Sequence, residues 1–94
     1  MSTVIAIGAS LPNAPLPVLE ALAIDADRLP KLLDDLASRD HISEAVVIST
    51  CNRVEVYAEV DRFHGSVEEV SRLLAERADL PLSEVVDHFY VHYD

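Results

Sequence analysis

The chain has 94 residues, half of them hydrophobic, and its 17 acidic and 7 basic side chains give a formal net charge of minus 10. That length makes one small domain, able to bury about 60 to 65% of the surface of its unfolded chain. The composition excludes a disordered segment, a run of the ~18 apolar residues that crosses a bilayer, and a secretory leader with a basic flank, so a cytoplasmic location is expected; the acidic surplus argues against general nucleic-acid binding while leaving room for contact with one end of an RNA.

Thr3 to Ile7 is a short β-branched apolar run closed by Gly8, which predicts a buried strand. Ala9 to Pro17 holds three prolines and reads as an irregular connection leading into a short helical turn over Val18 to Leu22. Leu29, Leu32, Leu33 and Leu36 recur at the helical spacing, with Lys31, Asp34 and Asp35 on the far side. Asp27 is the expected cap, and Pro30 falls in the first turn, where a missing N–H costs little. Ala45 to Ile48 is a continuous apolar run of the kind found in internal strands. Val54, Val56, Ala58 and Val60 then alternate with Glu55, Tyr57 and Glu59, one face buried and one polar.

Val67, Val70, Leu73 and Leu74 mark a further helix, with Gly65 and Ser66 as stop and cap and an end near Asp79 to Pro81. A helical turn over Ser83 to Asp87 precedes a last strand at Phe89 to Tyr93. The order is βαββαβ. An α+β fold of the split βαβ (ferredoxin-like) kind follows, with a four-stranded antiparallel sheet carrying its helices on one face.

Cys51 is the single cysteine, which excludes an internal disulfide, a CxxC pair and a thiolate zinc site. It stands where one strand pattern stops and another begins, beside Thr50 and Asn52 and two residues before Arg53. On an extended chain residues 51 and 53 share a side, so the guanidinium would lie near the sulfur and favour the thiolate. Arg53 could equally grip a carboxylate, with Thr50 and Asn52 offering hydrogen bonds beside it. Spacing alone assigns no base and no oxyanion donor. A small buried cysteine, inert in a domain that binds another protein, fits the same residues.

The run Ser49-Thr50-Cys51-Asn52-Arg53-Val54-Glu55-Val56-Tyr57, continuing through Gly65, resembles the signature of glutamyl-tRNA reductase in its actinobacteria-like form. Gly8, Ala14-Pro15 and Val18-Leu19-Glu20 extend the resemblance, which covers essentially the whole chain. It implies that residues 1–94 are the N-terminal, glutamate-recognising catalytic domain of an NADPH-dependent oxidoreductase in tetrapyrrole (porphyrin) biosynthesis. In such an enzyme the Cys51 thiolate attacks glutamyl-tRNA, leaving a thioester later reduced to glutamate-1-semialdehyde, while Thr50, Asn52 and Arg53 hold the glutamyl group.

The resemblance also implies a homodimer in the full-length enzyme, and NADPH bound by a domain outside this chain. Two glycines and no GxGxxG supply no dinucleotide site. The chain departs from the family where a His and a Lys or Arg usually follow the first strand, because Leu11 and Pro12 stand there. The family's active-site histidine is expected beyond Asp94, with His41, His64, His88 and His92 read as surface or cap residues rather than metal ligands. The competing reading is a non-catalytic acidic ferredoxin-like interaction module with an inert cysteine.

Overall fold

A computed structural model describes residues 3–11 and 13–93. The elements run β1 (Thr3–Ser10), α1 (Leu16–Leu22), α2 (Leu29–Ala37), β2 (Ile42–Ser49), β3 (Arg53–Val60), α3 (Phe63–Ala78), α4 (Leu82–Val85) with a 3-10 turn over Val86–His88, and β4 (Tyr90–Tyr93). The strands form one antiparallel sheet in the order β2-β3-β1-β4. That order, with each crossover skipping one strand, is the ferredoxin-like arrangement expected from the pattern. None of the described helices is long and apolar enough to cross a membrane.

Alternation along the strands decides which face is covered. Ile5, Ile7 and Ala9 of β1 stand opposite Ala58, Val56 and Val54 of β3, and all six are buried. Leu19 and Leu22 of α1, Leu32 and Leu36 of α2, and Val70, Leu73 and Leu74 of α3 close over that face as one cluster. An ion pair between Arg77 and Asp35 ties α3 to α2 above it. The other face carries Val4, Ala6, Gly8 and Ser10 of β1 beside Glu59, Tyr57, Glu55 and Arg53 of β3. None of the described helices packs on it.

Four boundaries differ from the sequence pattern, each for a local reason. β1 runs on through Gly8 to Ser10, because β4 still pairs with it at Gly8 and β3 pairs with it as far as Ser10. β2 is an edge strand of eight residues, and its apolar run is continuous although one side faces the open surface, where Val46 is 60% exposed. The N-terminus of α2 uses Asp25 rather than Asp27, the Asp25 carboxylate accepting the Arg28 N–H at 2.9 Å. α3 begins at Phe63, so Gly65 and Ser66 lie inside it and are neither stop nor cap. Phe63 anchors that first turn by stacking edge-on against Tyr93 with 4.9 Å between ring centroids. At the other end Asp79 takes a left-handed conformation (φ 56°) and its N–H caps α3, as the Asp79 to Pro81 stop signal predicts.

Candidate functional site

The β2–β3 hairpin turns on Cys51 and Asn52, which are bends with exposed side chains. The Thr50 N–H donates to the Arg53 carbonyl at 2.8 Å and closes the turn. In the return direction the Thr50 hydroxyl oxygen takes the place of its carbonyl, accepting the N–H groups of Asn52 (3.1 Å) and Arg53 (3.2 Å). The Leu11 N–H donates to the Asn52 carbonyl at 3.1 Å, which fastens the tip to the connection after β1. The Cys51 thiol thus projects from a braced turn, with the Asn52 side-chain oxygen 3.7 Å from its sulfur as a weak acceptor.

Arg53 opens β3 on the uncovered face, and its side chain is 49% exposed. Two residues on, Glu55 points to the same face, yet its side chain is only 7% exposed. The carboxylate is held on both oxygens: Oε1 lies 3.3 Å from the Arg53 guanidinium and 3.4 Å from the Tyr57 hydroxyl, and Oε2 accepts from the Tyr90 hydroxyl at 2.6 Å. Glu55 and Tyr90 belong to strands that are not neighbours. Both pair with Gly8 of the strand between them. A Cβ at Gly8 would lie 2.7 Å from Glu55 Cγ, so the missing side chain is the space through which Glu55 reaches across β1 to Tyr90. Burial first, and the Glu55 carboxylate second, push the Tyr90 hydroxyl up to about 12.

The chain matches the family described as Glutamyl-tRNAGlu reductase, N-terminal domain, over residues 7–94. It belongs to that family. It is 55% identical over 92 residues to the glutamyl-tRNA reductase 1 of Nocardioides sp., covering 98% of this chain and 21% of that protein. The glutamyl-tRNA reductase of Salinispora arenicola is 47% identical over 94% of this chain and 19% of its own length. That of Frankia casuarinae is 42% identical over 98% and 20%. The chain therefore spans about a fifth of the length of these curated relatives.

Within the glutamyl-tRNA reductase motif the structure gathers Thr50, Cys51, Asn52 and Arg53 at one end of the sheet, but not in the expected geometry. The extended-strand argument that sets Arg53 beside the sulfur fails, because residues 51 and 52 turn. Among the described residues no hydrogen bond joins Arg53 to Cys51; the guanidinium reaches Glu55 instead. Leu11 is exposed beside the hairpin tip, and Pro12 lies outside the described residues. The histidines gather no metal set among the described residues. His41 Nδ1 is 2.7 Å from Asp61 at the far end of the hairpin, and His92 leans on the Tyr90 ring. The strand alternation sets Glu55 on the polar face and gives Gly8 and Tyr90 no part in the site. The signal for Glu55 was the Arg-x-Glu spacing on one strand face; Tyr90 is 35 residues away from it and had none.

Proposed function

We propose that this chain is the N-terminal, glutamate-handling domain of an NADPH-dependent glutamyl-tRNA reductase acting in the cytoplasm at the entry to porphyrin biosynthesis, and that Cys51 is its nucleophile. The single observation that carries this reading is the braced hairpin tip, which exposes the thiol within a family motif while the neighbouring Arg53 is oriented by a buried carboxylate. The glutamyl carboxylates are the natural partners of a guanidinium with half its surface free, since Glu55 engages Arg53 from one side only. Asn52 and the Thr50 O–H supply the remaining polar contacts.

The Cys51 thiol releases its proton to solvent, the thiolate sulfur forms a bond to the ester carbonyl carbon of glutamyl-tRNA, the ester C–O bond breaks, and the tRNA 3′-terminal oxygen leaves and takes up a proton from solvent in turn. A thioester remains on Cys51. NADPH is the reductant that the family reading implies, and the residues described here do not fit it. Gly8 lies inside β1 and Gly65 inside α3, so no glycine turn joins a strand to a helix N-terminus. Cofactor binding and homodimer contacts are assigned to the remainder of the protein, and no step of this chain is routed through the cofactor.

The interaction-module alternative relied on a buried thiol, and Cys51 is exposed. The test is intact mass of the complete protein mixed with glutamyl-tRNA while NADPH is withheld. A glutamyl adduct that is absent from Cys51→Ser and removed by hydroxylamine supports the reading. An adduct that persists in Cys51→Ser sinks it.

A further inference from the structure

Three features of the open sheet face take no part in forming the thioester: the buried Glu55 carboxylate, the Tyr90 hydroxyl from the far edge strand, and Gly8 between them. We infer that Tyr90 is a positioning residue, whose hydroxyl fixes Glu55 so that Glu55 in turn fixes the Arg53 guanidinium for an incoming carboxylate. The inference rests on the proposed role of Arg53 and extends it to a residue of another strand.

Glu55 is a nearly buried acid on a face that the described helices leave uncovered, and such a group is stable there only when its oxygens are paired. Arg53 alone leaves Oε2 empty. Tyr90 fills it with the shortest of the contacts to this carboxylate, 2.6 Å against 3.3 and 3.4 Å. With Tyr90 in place the carboxylate cannot swing away from Arg53, because its second oxygen is tethered across the sheet through the space at Gly8. The high Tyr90 pKa fits this arrangement, since the hydroxyl stays a donor throughout the physiological range. β4 therefore touches the glutamate-handling end of the sheet through one side chain that never meets the thiol.

The test compares alkylation of Cys51 by iodoacetate, which carries a carboxylate, with alkylation by neutral iodoacetamide, read in the complete protein by the mass of the Cys51 peptide. Arg53→Ala sets the reference, lowering the iodoacetate to iodoacetamide rate ratio. Tyr90→Phe, which removes one oxygen and keeps the ring, is expected to lower the same ratio about 10-fold, with iodoacetamide alone unchanged. Glu55→Gln lowers it also, and Tyr90→Phe adds nothing on top of that change. Tyr93→Phe, 71% exposed at the end of β4, is the inert control. A ratio lowered by Arg53→Ala and untouched by Tyr90→Phe overturns the inference and leaves the proposed function standing. A ratio indifferent to Arg53→Ala removes the proposed carboxylate site, and the inference with it. Should Tyr90→Phe lower both rates equally, or melt the fold, Tyr90 is structural only and the inference fails; the Glu55→Gln ratio then reports separately on whether the carboxylate aims Arg53.

Discussion

A methyl group at Gly8 would stand 2.4 Å from the Val54 carbonyl oxygen and 2.7 Å from Glu55 Cγ, in a strand held on both sides. The Val54 carbonyl cannot yield without moving backbone, so Gly8→Ala is expected to cost about 1 to 3 kcal/mol as an overpacked position does. A drop in the urea midpoint checks it, with Gly65→Ala as the comparison, since a Cβ there meets nothing within 4 Å. Tyr90 gives the second prediction at this scale. Its hydroxyl ionises near 10 in the unfolded chain and near 12 in the folded one, so between those values the folded state holds the extra proton. The stability this contributes is complete below pH 10 and is lost as the pH rises toward 12. An absorbance titration should show one of the three tyrosines ionising late, and Tyr90→Phe should abolish that late step. Of these residues the sequence made only the Thr50–Arg53 motif legible. Glu55 follows the same alternation as the half-buried Tyr57 and Glu59 after it, and its deeper burial comes from an empty space on β1 and a hydroxyl on β4, neither of which strand periodicity encodes.

At the level of elements, the hairpin depends on a side chain doing a backbone's work. Thr50→Ser keeps the acceptor for the Asn52 and Arg53 N–H groups, whereas Thr50→Val removes it, and at this exposed turn the loss is expected to be about 1 kcal/mol. The sharper readout is local: amide exchange at residues 52 and 53 should quicken in Thr50→Val and not in Thr50→Ser. If exchange is the same in both, the hydroxyl does not hold the turn. The helices show which part of the sequence pattern transfers to the fold. The leucine stripe of α2 was legible because Leu32 and Leu36 repeat toward one core, and Leu36→Ala should destabilise by about 2 to 5 kcal/mol. The start of α3 was not, because Gly65 and Ser66 look like punctuation locally while the helix is begun upstream by the Phe63 contact with Tyr93, thirty residues along the chain. Position within the sheet was likewise hidden in β2, since an apolar run marks a strand without saying what lies on either side of it.

On the scale of the whole molecule, the charge and the proposed substrate pull in opposite directions. The chain carries a net charge of minus 10, and three of its seven basic side chains, Arg53, Arg72 and Arg77, are already paired with carboxylates of the same chain. Little positive surface remains for a phosphate backbone. On the proposed function, a substrate delivered on tRNA meets this domain through its aminoacylated end, and the phosphates are left to parts of the protein outside this chain, which spans about a fifth of the length of the curated relatives. Binding measured against salt separates the two contributions, because each phosphate contact adds to the slope of log affinity on log salt. The complete protein is expected to bind uncharged tRNA with a steep negative slope. The 94-residue domain, which closes its own core, is expected to show no measurable binding of uncharged tRNA even at low salt. Steep, salt-sensitive binding by the domain alone would mean that its few unpaired cations form a local groove that outweighs the acidic surplus, and the division between an end-reading domain and a backbone-binding remainder would have to be abandoned.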